Sequence, residues 1–186
     1  MITDEKLVEE SLAGSALAFS ELVERYQERL LRYLMTRATN RADAEDAIQD
    51  TFISAYRYLH SFNPQWRFST WIYRIAIRNA ARQSRDDVHD VDAVAGDAAA
   101  DPLEECIVAS ERANVWQTAR RLLNQDAYAA MWLRYVEDMS IKEVARALDK
   151  TQSWAKVTLL RGRRALSAEL SDGASAASRS ENYGRI

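Results

Sequence analysis

The chain has 186 residues, 47% of them apolar and 28% charged, with five Gly, two Pro, one Cys and two His. That is enough apolar material for one core or two small ones, and the scarcity of Gly and Pro disfavours a sheet-rich fold. One thiol, Cys106, and two separated imidazoles, His60 and His89, exclude a disulfide framework and a Cys/His metal cluster and suit a reducing cytoplasm, while the formal net charge of −3 argues against nucleic acid only as a sum.

The first 24 residues carry a net −5, and residues 1–10 hold four acids against Lys6, so no secretory signal is expected there. Phe19, Leu22, Val23, Tyr26, Leu30, Tyr33 and Leu34 then recur at helical spacing, with Glu21, Glu24, Arg25, Glu28 and Arg32 opposite, which predicts a long amphipathic helix. A second helix follows the acidic run Asp43, Glu45 and Asp46, its apolar stripe being Ile48, Phe52, Tyr56 and Leu59. The run continues through Gln49 and Asp50 with no His and no second carboxylate cluster, so metal binding and acid/base catalysis are not expected. Helix capping and dipole compensation account for Asp43 and Glu45, and the remaining charge suggests a basic protein partner.

After the loop SFNPQWRF, Ser69 or Thr70 is placed to cap a third helix that buries Trp71, Ile72, Ile75 and Ala76. Residues 51–85 hold six arginines and no acid, interleaved with Tyr56, Tyr58, Phe62, Trp66, Phe68, Trp71 and Tyr73. Aromatic surfaces in a basic groove are what unpaired bases stack on, so single-stranded DNA is a candidate ligand. Tyr56, Trp71 and Phe62 are expected in the core, and Asn63, Trp66, Arg67 and Phe68 are the better base contacts.

Residues 86–105 hold eight acids and no Lys or Arg, lack apolar periodicity and include Pro102, which predicts a linker. Beyond it Val108, Val115, Ala119, Leu122 and Leu123 mark one helix, and Tyr128, Met131, Trp132 and Tyr135 another. The uninterrupted apolar stretch 128–133 is far below the roughly 20 residues that span a bilayer, so no membrane insertion is expected. Ser140 and Glu143 then form a capping box, a turn follows at 149–151, and Ala155, Leu159, Gly162 and Leu166 repeat at i, i+4, i+7 and i+11. This is a helix-turn-helix pattern. Its second helix places Gln152, Ser153, Trp154 and Lys156 for base readout and Arg161, Arg163 and Arg164 for phosphate contact, against the alternatives of a solvated basic helix and of Trp154 as a core residue. The Ser/Ala/Gly-rich segment 171–186 is expected to be disordered. No phosphate loop, nucleophile elbow or zinc pattern occurs, so neither an enzyme nor a cofactor is expected.

In order, AFSELVERYQERL, DAEDAIQDTFISAYRYLHSF, FSTWIYRIAIRNAAR and, past the linker, SIKEVARALDKTQSWAKVTLLRGRRAL resemble the extracytoplasmic-function (ECF) sigma factors of bacterial RNA polymerase, over roughly residues 3–84 and 105–170. The resemblance implies an all-α protein of two small helical domains joined by an acidic flexible linker. A region 2 domain would occupy residues 1–85, the linker 86–104, a region 4 helix-turn-helix domain 105–170, and a tail 171–186. It further implies that Asp43, Glu45, Asp46, Gln49 and Asp50 dock on the clamp helices of the polymerase largest subunit. The loop at 63–68, with Thr70, Trp71, Arg74, Arg78 and Asn79, would capture a flipped minus-10 base, and the helix-turn-helix would read the minus-35 duplex. Such a protein recognises promoters and promotes melting in the cytoplasm, and an anti-sigma factor is a candidate partner. The chain has Leu123–Asn124 where the family often has Leu-Pro, Asp149 where Gly is frequent, and Arg78 where Asn is common, with Asn79 one position later. The alternative reading is a stand-alone helix-turn-helix regulator that binds duplex operator DNA unaided.

Overall fold

Three short polar side chains decide where the first helices begin. Thr3 accepts the amide of Lys6 and opens α1 (Asp4–Leu12), Ser15 accepts that of Ala18 and opens α2 (Ala16–Met35), and Asn40 accepts that of Asp43 at 2.9 Å and opens α3 (Arg41–Arg57). Gly14, at φ +101°, makes the α1–α2 turn. A 3-10 turn (Leu59–Ser61) and a loop lead to α4 (Phe68–Asp86). These elements belong to the first of two units, 1–100 and 101–186, in a computed structural model that describes residues 2–38, 40–86 and 107–183. The linker expected over 86–104 lies, from residue 87 on, outside the described residues. All regular structure among the described residues is helical.

In the first unit α3 packs against both α2 and α4. Of the stripe expected on α2, Leu22, Tyr26, Leu30, Tyr33 and Leu34 are buried, and Phe19 and Val23 are half-buried. On α3 the expectation needs correcting. Its inward face is Ala44, Ala47, Thr51 and Ala55, joined by Phe52, while Tyr56 is 61% exposed and only leans its edge on Phe19 at 4.9 Å. Small side chains let two neighbouring helices approach α3 at once, and an aromatic at that position would hold them apart. The fully buried Thr51 hydroxyl on this face donates to the Ala47 carbonyl at 2.7 Å, so its burial leaves no unmet donor.

α4 begins at Phe68, ahead of the expected cap. Phe68 inserts between Tyr26, Phe62 and Trp71, with ring centroids 5.2 to 5.9 Å apart, and is 1% exposed. Burying that ring winds the first turn early, so Ser69 and Thr70 become buried helix residues rather than caps. Tyr73 also joins the core, edge-on to Tyr33 at 5.8 Å. α1 is held to α2 by Asp4, which accepts from Arg25 Nη1 at 2.8 Å and from the Tyr26 hydroxyl. Burial, then the bond to Asp4, pushes the Tyr26 hydroxyl well above its ordinary range. The bonds to Asp4 and Glu21 raise Arg25 in turn.

The second unit contains α5 (Ile107–Leu122), α6 (Gln125–Tyr135), α7 (Ile141–Ala147) and α8 (Gln152–Tyr183). Asn124, standing where a proline was the family expectation, caps α6 by accepting the Ala127 amide at 2.9 Å. Tyr128 and Trp132 bracket Trp116 at 5.7 and 5.1 Å, whereas Leu122 and Tyr135, expected in the core, are exposed. The Ser140–Glu143 capping box forms in full. Asp149 takes the left-handed conformation, φ 59°, that the α7–α8 turn demands, and Thr151 caps α8 through the Trp154 amide at 3.1 Å. Lys150 ties this turn to α6 through Asp126 at 2.9 Å. The inward stripe of α8 is the expected one, Ala155, Leu159, Gly162 and Leu166. α8 runs on to Tyr183, so most of the segment expected to be disordered is helical. Ala174, Ala176, Ala177, Arg179 and Glu181 favour extension of an existing helix against the poorer formers Asp172, Gly173, Asn182 and the serines, and extension needs no new nucleus.

Candidate nucleic-acid and protein interfaces

Because Ala44, Ala47, Thr51 and Ala55 face inward, helical geometry sends Asp46, Gln49, Asp50, Ile53 and Arg57 to the opposite side of α3. Asp43, Glu45, Asp46, Gln49 and Asp50 are all exposed. Asn40 performs the capping proposed for Asp43, and Glu45 pairs with Arg41 at 2.8 Å. The other acids are therefore not consumed by helix initiation. Ile53, 57% exposed in the centre of this face, was missed in the sequence because the pattern Ile48–Phe52–Tyr56 pointed to a different inward register.

α4 shows the opposite sign. Its inward side chains Phe68, Ile72, Ala76 and Ala80 leave Arg67, Trp71, Arg74 and Arg78 in one row at i, i+4, i+7 and i+11. Arg67 and Arg78 are exposed, and Trp71 and Arg74 half-buried. Before the row, Asn63 folds the loop on itself: its side chain accepts the Gln65 amide at 2.9 Å and its carbonyl the Trp66 amide at 3.0 Å. This leaves Asn63 exposed and Trp66 half-buried. Phe68 and Thr70, expected to contact DNA, are buried and supply support instead. Asn79 is half-buried and turned toward α3, where it donates to Ser54 Oγ at 3.4 Å.

On α8, Gln152, Ser153, Lys156, Arg161, Arg163 and Arg164 are all exposed. Trp154 is half-buried beneath Lys150, whose ammonium lies 5.5 Å from the ring centroid, so it is neither core nor fully outward. Two aliphatic residues on this surface were not anticipated, Val157 and Leu160. They stand at i+4 and i+7 from Ser153, a spacing the sequence displays but that a search for cations passes over.

The sigma-70 region 2 family matches residues 22–88, and the sigma-70 region 4 family matches residues 117–166. An ECF RNA polymerase sigma-E factor of Haemophilus influenzae is 31% identical over 175 residues, covering 87% of this chain and 92% of that protein. The sigma-E factor of Escherichia coli K12 is 33% identical over 179 residues, covering 89% and 93%. The chain belongs to the ECF sigma factors. Its function is that of an alternative sigma factor, which joins core RNA polymerase at promoter DNA to initiate transcription. The fold is shared with the solved structure of CnrH in complex with the cytosolic domain of CnrY, at TM-score 0.69 and 24% identity over 91% of this chain and 97% of that one. It is shared equally with the sigma factor RpoE of Bartonella quintana in complex with the anti-sigma factor NepR, at TM-score 0.69 and 21% identity over 82% and 96%. No described helix of this sigma factor is long and apolar enough to cross a membrane.

Proposed function

We propose that the α3 face of Asp46, Gln49, Asp50 and Ile53, with Asp43 and Glu45 at its rim, docks on the clamp helices of the polymerase largest subunit. On the same unit, Asn63, Trp66, Arg67, Trp71, Arg74 and Arg78 hold the melted minus-10 strand. The observation that carries this reading is the sign separation within one small unit, with acids facing outward on α3 and an acid-free arginine row on α4. A basic protein surface and a polyanion are thereby engaged by different helices at once. Trp66 and Trp71 offer the half-exposed rings that an unstacked base needs, with arginines beside them for phosphate. On the second unit Gln152, Ser153, Trp154 and Lys156 address minus-35 base edges, and Arg161, Arg163 and Arg164 its backbone.

In this reading the chain has no catalytic residues of its own, holds no cofactor and works in the cytoplasm, where polymerase and DNA are. An anti-sigma factor that covers these faces is the fitting inhibitor. The direct test is run-off transcription with core polymerase, which also maps the promoter. Asp46→Arg should weaken core binding about tenfold or more while leaving helix content unchanged, because it puts a cation against a basic surface. Equal affinity of the variant would remove α3 from the docking surface. A gel shift without core separates the stand-alone regulator: tight, specific duplex binding by the free chain would favour it, and dependence on core would favour the sigma reading.

A further inference from the structure

α8 carries an apolar patch where its neighbours are cations. Ala155, Leu159, Gly162 and Leu166 face the core, so the line pointing directly away is Ser153, Val157, Leu160 and Arg164. Val157 is 45% and Leu160 42% exposed, and Lys156, Arg161 and Arg163 flank them, all exposed. Neither residue is explained from within the unit. The core is already filled by the opposite face, and a β-branched valine is a poorer choice for an exposed helix position than the Lys, Arg or Glu that would also keep that face soluble.

In the major groove the outward line of such a helix meets base edges, and the one apolar feature there is the C5-methyl group of thymine. We infer that Val157 is a specificity-determining residue that reads a thymine methyl in the minus-35 element, with Leu160 extending the apolar strip one turn along. Its position, six residues into α8, is within the first two turns, the part that enters the groove, while Arg161 and Arg164 lie one to two turns farther along, where the duplex backbone passes. The cations hold the helix on DNA of any sequence, and an aliphatic side chain between them discriminates by contact rather than by charge. Withdrawing one methyl group from water is worth about a fourfold change in affinity.

The inference rests on the proposed minus-35 role of α8, and the test separates the two. Holoenzyme is assembled from the full chain and core polymerase on the promoter mapped by run-off transcription. Each thymine of the upstream element is then replaced in turn by deoxyuridine, which removes only the methyl group. At one thymine the substitution should weaken wild-type binding about fourfold. Val157→Ala should bind thymine and deoxyuridine there equally, whereas Lys156→Ala should bind more weakly but keep the ratio. An element without thymine, indifference of the wild type to every deoxyuridine, or a ratio that survives in Val157→Ala would overturn the inference and leave the minus-35 role standing. Absence of any promoter-dependent transcript would overturn that role itself, and the inference with it. Indifference of the wild type overturns the inference without any variant, and Val157→Ala, which raises helix propensity at an exposed position, assigns a methyl effect to the residue itself.

Discussion

Tyr26 shows how one side chain can serve two levels of the structure. Its ring packs edge-on to Phe68 at the start of α4, and its hydroxyl donates to Asp4, which also holds Arg25. Tyr26→Phe keeps the packing and removes the bond to a charged acceptor, so urea unfolding at pH 7 should show a loss of about 1–2 kcal/mol. The pH dependence has a definite sign. The folded hydroxyl titrates above the ordinary value of 10.0, so stability is fully present below pH 10 and falls above it, as the unfolded chain releases the proton first. The phenylalanine variant lacks that slope, and the two stabilities should converge as pH rises past 10. Parallel curves would mean that the hydroxyl is not the group that titrates. Phe68 teaches a related point: its place in a loop-like string next to Trp66 and Arg67 suggested a base contact, yet 1% exposure commits it to the core. Local sequence does not distinguish an aromatic that stacks on bases from one that stacks on its neighbours, because both need the same ring.

At the scale of elements, small residues on the inner face bring α3 close to its neighbours, and in α8 a single glycine does the same between leucines. Gly162 lets α8 pass close to α6 and the end of α5: a Cβ there would stand 3.1 Å from Met131 Sδ and 3.3 Å from its Cγ, with Leu123 Cδ1 at 3.7 Å. Met131 is itself buried and has little room to swing aside. Gly162→Val should therefore destabilise the second unit by about 1–3 kcal/mol through overpacking, despite the gain in helix propensity, as read from denaturant melts. A neutral result would mean that Met131 has an alternative rotamer available. The α8 stripe was legible in the sequence because its apolar residues follow a single 3.6-residue period. The α3 face was not: alanines carry weak hydropathy contrast, so Ile48 and Tyr56 outweighed them, and the inward register became clear only where α2 and α4 both close on α3.

The whole molecule is acidic in sum and basic in two of its parts. Residues 51–85 carry +6 and 142–166 carry +5, whereas 86–105 carry −8. Replacing the eight acids of 86–105 by their amides would leave a chain of net charge +5 instead of −3. The free variant should bind nonspecific duplex DNA about tenfold more tightly at low salt, with a steeper loss of affinity as salt rises. Unchanged binding in a fluorescence titration would show that these acids do not screen the basic faces. Coupled to Asp46→Arg, the comparison separates charge that opposes DNA from charge that recruits polymerase.

The sequence alone determined the all-helical class, the helix-turn-helix with its capping box, the family, and the charge alternation. Each of these is written in periodicity, in cap chemistry or in contiguous residue order, all of which are local. Tertiary structure decided which of several equally apolar or equally aromatic residues face inward. It moved Phe68, Thr70 and Tyr73 into the core, left Ile53, Tyr56, Val157 and Leu160 in solvent, and carried α8 through to Tyr183. Burial depends on which neighbour arrives on which side, and that is a property of the packed unit rather than of any one segment.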